Sequence, residues 1–343
     1  MKLSWKVCVA IILGACINSV VLGEDAKGYS GHPEAQKWLL MMEDESFSKD
    51  YLLSVLSSAR KKDSILKAMN RPAEKRLDWG GYRKLFVKPK RISRGVDFWR
   101  KHEETLHRAE QVYGVPAEII VSIIGIETHY GRNTGSYRAL DALATLGFEY
   151  PRRAAFFQGQ LKDLLILARN EKIDVTTLKS SYAGAMGYGQ FIPSSFLAYA
   201  VDFDRDGKKD LWNSPVDAIG SVANYFFKHG WLANKNAVTE VKLSRSLPND
   251  IINTGEKPAK LLSGWKALGV KASQVEAQDV AAVLLKMKDQ DSEAYWLGYN
   301  NYYVVTRYNR SRLYAMAVLQ LSEEIKTKKL AEKIAAKQTD AKG

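Results

Sequence analysis

The chain has 343 residues, of which 46% are hydrophobic and 26% are charged. These proportions are ordinary for a soluble globular protein and exclude a chain that is disordered or fibrous throughout. A protein that crosses a membrane several times is also excluded, because only the N-terminal apolar run escapes interruption by charge well before the roughly 20 residues that a span requires. The formal net charge is +13, which favours polyanionic partners such as nucleic acid, anionic lipid or an acidic cell-envelope polymer.

The first residues have the pattern of an export signal. Lys2 and Lys6 precede the apolar run 7–13, the order found in secretory leaders. We therefore predict an export signal over residues 1–23 and an exported, periplasmic protein. Leu13-Gly14-Ala15-Cys16 resembles the lipobox of bacterial lipoproteins, which would anchor the protein to the outer membrane through Cys16. Residues 21–23 equally fit an ordinary cleavage site before Glu24, and a third interpretation is an uncleaved, buried helix.

Cysteine usage limits how the rest of the chain is stabilised. Both cysteines, Cys8 and Cys16, lie within the predicted leader. The remaining chain can form neither an internal disulfide nor a thiolate metal site. Its stability must come from a hydrophobic core.

Helical periodicity dominates the N-terminal half. Between His32 and Met69 the apolar residues recur at three- and four-residue spacing, which predicts two or three short helices. We assign residues 24–98 to an N-terminal helical region. A further helix is expected from about Gly95 to Gly114, where glycine can end it, and Pro116 is expected to open the next one.

The C-terminal half mixes helical segments with one irregular stretch. The helical pattern resumes over about 152–170, 214–229 and 312–330. Prolines and glycines break residues 235–292 into short pieces, which predicts a small mixed α/β insert. The best strand signal is Tyr302–Thr306, because it is rich in β-branched and aromatic residues. The lysine-rich residues 331–343 are predicted to form a basic tail that is solvated or disordered.

An acid stands at the end of the most apolar segment. Residues 119–126 are apolar nearly all round, so this helix must be buried on most faces. Glu127 follows directly. Partial burial raises the pKa of a carboxyl group toward the range in which it can donate a proton near neutral pH, which is what a general acid requires. The alternative is that Glu127 simply faces water where the helix emerges.

Several ordered blocks of sequence accompany Glu127. They are Trp79-Gly80-Gly81-Tyr82-Arg83, Gly125-Ile126-Glu127-Thr128-His129-Tyr130-Gly131, Asp141-Ala142-Leu143-Ala144-Thr145-Leu146, Tyr150-Pro151-Arg152-Arg153, the glycine-rich run Ser181 to Ser195, and Thr306-Arg307-Tyr308-Asn309. Together they resemble the membrane-bound lytic transglycosylase B family, whose members cleave bacterial peptidoglycan. The resemblance covers most of the mature chain.

This resemblance implies a mainly α (α+β) fold. A lysozyme-like catalytic domain would comprise residues 99–234 and 293–330, beside the N-terminal helical region and the mixed insert. Glu127 matches the family's single catalytic acid. The positions that match residues lining the glycan subsites are Tyr82, Arg152, Arg153, Ser181, Gln190, Tyr225, Tyr308 and Asn309. Tyrosine faces suit sugar rings, Ser, Gln and Asn supply hydrogen bonds, and Arg152 and Arg153 could pair with stem-peptide carboxylates.

The implied chemistry uses one carboxylate where ordinary glycosidases use two. In the family, the acid protonates the oxygen that links N-acetylmuramic acid to N-acetylglucosamine. It then acts as a base on the C6 hydroxyl of the muramic sugar, which closes a 1,6-anhydro ring without water. Asp141 and Glu149 are the nearest other acids in sequence. If either lay across the substrate from Glu127, a hydrolytic muramidase would be the better interpretation.

Two further classes remain as alternatives. A catalytically inert peptidoglycan-binding envelope protein would keep the cleft, although the presence of Glu127 argues against it. Nucleic-acid binding is suggested by charge alone, and export argues against that partner. Other cell-wall enzymes are conceivable partners, whereas no organic cofactor is expected.

Residues 202–217 contain a loop of the EF-hand type. Its side-chain oxygens fall at positions one, three, five and nine of the loop, with Gly207 at six for the sharp turn and the Lys208 carbonyl at seven. Asn213 stands at position twelve in place of the usual bidentate glutamate, and Asp217 can substitute from the first turn of the following helix. The predicted ligands of a structural calcium ion are Asp202, Asp204, Asp206, Lys208, Asp210 and Asp217. The alternative is an Asp-rich surface turn without metal.

Overall fold

A computed structural model describes residues 28–42, 47–70, 77–272, 278–289 and 292–340. The predicted export signal and Cys16 lie outside these residues. The helices are α1 (Pro33–Met41), α2 (Lys49–Ser58), α3 (Asp63–Met69), α4 (Trp79–Phe86), α5 (Pro89–Lys101), α6 (Glu103–Tyr113), α7 (Ala117–Thr128), α8 (Ala139–Glu149), α9 (Ala154–Asn170), α10 (Pro193–Tyr199), α11 (Pro215–Lys228), α12 (Leu262–Ala267), α13 (Asn300–Tyr308) and α14 (Arg312–Asp340). The strands are β1 (Tyr137–Arg138), β2 (Lys179–Ser180), β3 (Val238–Leu243), β4 (Lys260–Leu261), β5 (Val270–Ala272), β6 (Ala281–Lys288) and β7 (Glu293–Gly298).

Helix α7 is the centre of the helical body. It begins directly after Pro116, as predicted, and its apolar side chains are buried against α5, α11 and α14. The Ser122 hydroxyl satisfies its hydrogen-bonding need in this core by donating to the Val318 carbonyl of α14 at 2.7 Å. A side chain at Gly125 would place its Cβ 2.5 Å from the Tyr130 ring, so glycine is required there. No single described helix is long and apolar enough to span a membrane, although α6 and α7 pass that test together across a 114° bend.

The predicted N-terminal region 24–98 divides between two cores. Two or three short helices were expected between His32 and Met69; three are present, α1, α2 and α3, and they share a hydrophobic cluster with α8 and α9. Helices α4 and α5 pack instead on α14, in the cluster that contains α7. The region is therefore not one packing unit, because its two parts bury their apolar faces against different helices.

The mixed insert is a five-stranded antiparallel sheet with one short helix. Its strand order is β4-β6-β7-β3-β5, and Trp265 of α12 covers it within a separate hydrophobic cluster. The predicted boundary at residue 292 is too early. Strand β7 pairs with both β6 and β3, so the sheet runs through Gly298.

Three predicted elements differ from the structure. Tyr302–Thr306 is helical within α13, because Tyr302, Val304 and Val305 point into the core beside α7 and α14. The helix expected from Gly95 to Gly114 starts earlier, at Pro89, and breaks at His102, although it ends at Gly114 with φ 69° as predicted. The residues of the expected solvated or disordered tail continue α14 as a helix to Asp340, and most of residues 331–338 are exposed to solvent.

Candidate active site

Glu127 lies in the last turn of α7, where the buried helix reaches the surface. Burial raises the pKa of its carboxyl group from the usual 4.5 to about 7, and the hydrogen bond from Tyr314 opposes that shift. The Tyr314 hydroxyl donates to Glu127 Oε1 at 2.5 Å. A pKa raised into this range suits a group that must first donate and then accept a proton near neutral pH.

Three tyrosines surround this carboxyl group. Tyr314 is buried in the first turn of α14, and Tyr82 of α4 and Tyr308 at the end of α13 lie close enough that the charge of Glu127 raises their pKa values, after the larger effect of burial. The Tyr308 hydroxyl donates to the Gly189 carbonyl at 2.5 Å, which joins α13 to the glycine-rich loop. Tyr82 and Tyr308 were predicted, whereas Tyr314 was missed.

The backbone just after Glu127 is strained. His129 and Tyr130 both have left-handed conformations, with φ values of 52° and 64°, which cost of order 1–3 kcal/mol each for residues with a side chain. Two contacts with α5 hold them: Tyr130 donates to the Arg91 carbonyl at 2.9 Å, and Arg91 Nη2 lies 2.6 Å from His129 Nε2. The end of α7 is therefore held in place by α5.

Of the other predicted subsite residues, two belong to the glycine-rich loop and one packs behind Tyr308. Ser181 and Gln190 shape the glycine-rich loop: Ser181 Oγ accepts from the Ala185 N–H, and Gln190 Nε2 donates to the Thr134 and Gly187 carbonyls. Tyr225 lies behind Tyr308, only 8% exposed, with ring centroids 4.7 Å apart and its hydroxyl bonded to the Arg307 carbonyl.

Asn309, Arg152 and Arg153 are exposed. Asn309 follows the end of α13, beside Tyr308. The two arginines lie in the single 3₁₀ turn before α9, where the Arg153 guanidinium is 4.2 Å from the centroid of the Phe156 ring. They are not part of the hydrogen-bonded cluster around Glu127.

The two acids considered as possible partners of Glu127 have hydrogen-bond or ion-pair partners elsewhere in the structure. Asp141 is 5% exposed and accepts hydrogen bonds from the Arg60 N–H and the Arg138 guanidinium. Glu149 pairs with Lys61 at 3.2 Å. Neither contributes to the pKa shift of Glu127, so within the described residues neither stands as a partner acid.

The EF-hand-type loop brings together three of its predicted ligands. Carboxylate oxygens of Asp202, Asp204 and Asp217 lie within 4.8 Å of one another. Asp217 is 1% exposed, and its carboxylate accepts only backbone N–H groups, those of Phe203, Asp204 and Asp210. A buried carboxylate without an ion-pair partner in the described chain, beside two more hard oxygen donors, fits a divalent cation of the calcium type.

The remaining predicted ligands of the loop lie outside this group. The Asp210 carboxylate is turned onto the Trp212 and Asn213 N–H groups, and Asp206 accepts from the Lys208 N–H. Gly207 has φ 90°, which is the conformation expected at loop position six. The described acidic cluster therefore contains fewer residues than the set of ligands that the spacing predicted.

Comparison with known proteins identifies the family of the chain. A family model described as the transglycosylase SLT domain matches residues 31–323. The chain is 44% identical over 319 residues to membrane-bound lytic murein transglycosylase B of Escherichia coli, covering 90% of this chain and 86% of that protein. The catenated lytic transglycosylase SltB1 of Pseudomonas aeruginosa is 47% identical, with a TM-score of 0.85 over 88% of this chain and 99% of that one. An Escherichia coli lytic transglycosylase solved in complex with calcium is 44% identical, with a TM-score of 0.81 over 89% and 97% of the two chains. With its helical fold, this chain therefore belongs to the SLT-domain family of lytic transglycosylases.

Proposed function

We propose that this protein is a lytic murein transglycosylase that cleaves the bond between N-acetylmuramic acid and N-acetylglucosamine in peptidoglycan and leaves a 1,6-anhydro end. One observation carries the proposal. Burial at the end of α7 raises the pKa of Glu127 to about 7 against the opposing hydrogen bond from Tyr314, and no second carboxylate lies beside it in the described chain. A lone acid of this kind suits two successive proton transfers.

The proton balance of the reaction closes on Glu127 alone. Protonated Glu127 gives its proton to the bridging oxygen, and the bond from that oxygen to C1 of the muramic sugar breaks. The resulting carboxylate then takes the proton of the C6 hydroxyl while the C6 oxygen forms a bond to C1. This step returns Glu127 to its protonated starting form. The second step is intramolecular, so proximity lowers its barrier and no water is consumed.

The substrate contacts proposed for the predicted residues follow from their positions. Tyr82 and Tyr308 present partly buried rings near Glu127, and Ser181 and Gln190 position the loop that Tyr308 contacts. Tyr225 supports Tyr308 from behind. Arg152, Arg153 and Asn309 are free to meet substrate farther from the bond that breaks, the arginines through stem-peptide carboxylates.

The product distinguishes this proposal from a hydrolytic muramidase. Digestion of purified peptidoglycan should give muropeptides that end in 1,6-anhydro-N-acetylmuramic acid, lighter by one water than the products of hydrolysis. Mass spectrometry of the terminal sugar measures this directly. Fragments that carry mainly reducing N-acetylmuramic acid would establish hydrolysis and require a base for water.

Tyr314 should set the pH range of the reaction. Its hydroxyl stabilises the ionised form of Glu127, so Tyr314→Phe should raise the pKa of that carboxyl group further. Since the first step needs the protonated acid, the alkaline limb of the kcat profile should move to higher pH than the wild-type limb near 7. Tyr302→Phe, in the same core but outside the cluster, is the matched control. An unmoved alkaline limb in Tyr314→Phe would contradict the assigned coupling.

We further propose that Asp202, Asp204 and Asp217 hold a calcium ion that stabilises the loop before α11 and takes no part in bond cleavage. The oxygen-only donor set supports this assignment. Similarity to a membrane-bound murein enzyme supports export to the periplasm and association with a membrane. Lipidation at Cys16 would supply that association, and peptidoglycan strands with stem peptides are the proposed partner.

A further inference from the structure

A pocket separate from the site around Glu127 lies where the insert sheet meets the helical body. Its volume is about 320 Å³. The walls come from the segment after α11, the loop before β4, the start of β6 and the N-terminal end of α13. The residues used below are Lys235, Lys257, Pro258, Val280, Tyr299 and Tyr303.

The pocket carries uncompensated positive charge. Of the described residues that line it, Lys235 and Lys257 are cations and none is an aspartate or glutamate. Neither lysine has an ion-pair partner among the described residues. Asp279, an acid close by along the chain, directs its carboxylate to the Ser263 N–H and hydroxyl groups, and Glu256, whose charge raises the pKa of Tyr302 after the larger effect of burial, does not line the pocket. Among the described residues an anion would therefore meet two lining cations and no lining carboxylate.

The start of α13 adds hydrogen-bond donors to the same place. No side chain caps this nine-residue helix. The Asn300 and Asn301 side-chain amides donate to the carbonyls of Gly230, Leu232 and Lys235. Both residues belong to the first turn of α13 and line the pocket, so the partial positive charge of the helix N-terminus lies at the pocket wall.

Much of the remaining wall is apolar, with Asn236 and Gln278 as polar exceptions. Tyr299, Tyr303, Pro258 and Val280 line the pocket beside the lysines. A small inorganic anion would use the charges and leave this surface empty. A carboxylate carried on short apolar groups would use both, as recognition pockets of this size commonly require.

We propose that this pocket binds the free carboxylate end of a peptidoglycan stem peptide. The carboxylate lies between Lys235, Lys257 and the start of α13, and the neighbouring methyl groups contact the Tyr303 and Pro258 wall. The inference rests on the proposed function. Helix α13 leads from this pocket to Tyr308 beside Glu127, about 12 Å along its axis at 1.5 Å per residue. A second stem peptide is thereby held near the glycan strand that is being cleaved.

Binding of the isolated stem pentapeptide to the Glu127→Gln protein, measured by isothermal titration calorimetry, tests the proposal. The double variant Lys235→Gln, Lys257→Gln should bind at least tenfold more weakly. The control Lys242→Gln, Lys271→Gln removes the same charge from exposed positions on β3 and β5 and should stay within twofold. Amidation of the peptide's C-terminus should weaken binding as the pocket variant does, and matched melting temperatures show that both variants fold.

The other outcomes overturn the proposal in distinguishable ways. Equal affinities of the two double variants, or inorganic phosphate that binds as tightly as the peptide, would reject the stem-peptide site. Anhydro products from the wild-type protein in parallel digests would show that only the pocket assignment had failed. Their absence would reject the proposed function itself.

Discussion

Glu127→Gln should lower the release of muropeptides from purified peptidoglycan by about 10³-fold or more, because one residue supplies both proton transfers and each is worth roughly 10²–10⁴. The amide keeps the shape of the side chain but can neither donate nor accept the proton. Glu118→Gln is the matched control, since Glu118 lies in the first turn of the same helix, paired with Lys326 at 2.8 Å. It should retain activity within about twofold. Activity of Glu127→Gln within tenfold of wild type would contradict the assignment.

The stability of the same variant relative to wild type should rise with pH, which separates loss of chemistry from loss of fold. The folded-state pKa of Glu127, about 7, lies above the usual 4.5. Below pH 4.5 the group is protonated in both states and costs nothing. Between 4.5 and 7 the unfolded state ionises first, so wild-type stability falls, by at most about 3 kcal/mol. Glu127→Gln should therefore melt higher than wild type at pH 8 and alike at pH 4.

Calcium should raise the melting temperature of the wild-type protein by about 4 °C. An ion at 100 times its Kd, bound only to the folded loop, contributes about 2.7 kcal/mol, and an unfolding entropy of about 2.1 cal/mol/K per residue makes each kcal/mol worth about 1.4 °C in a protein of this size. The double variant Asp202→Asn, Asp217→Asn should lose the response, because it removes charge from two members of the cluster. Melting curves with calcium and with chelator measure the difference.

The control for calcium is Asp50→Asn, Asp250→Asn, which removes two exposed acids far along the chain from the loop. It should keep the full calcium response. The comparison uses the response to calcium within each variant, because loss of the buried Asp217 charge also changes the baseline stability. Identical wild-type curves in calcium and in chelator would show that the folded loop binds no ion.

Part of the candidate site could be predicted from local pattern. The acid at the end of a buried apolar run left Glu127 as either a general acid or a group facing water, and the family resemblance selected the first. The loop aspartates could be predicted as ligands because the spacing of ligands within one loop is a property of the sequence. Tyr314 carried no such signal: Ser311 marks a helix start, and the Ser311 hydroxyl accepts from the Tyr314 N–H at 3.3 Å, but only the packing of α14 on α7 directs its ring toward Glu127.

The sequence by itself determined the features that depend on neighbours along the chain. Examples are the helix opened after Pro116 and the end at Gly114. Tertiary structure decided that Tyr302–Thr306 is helical, that the insert extends to Gly298, and which of the loop aspartates lie close together. The reason is one of magnitude. Helix and strand preferences differ by well under about 1 kcal/mol per residue, whereas burying a side chain such as Val304 or Val305 contributes about 1.5–3 kcal/mol, so contacts distant in sequence overrule the local preference.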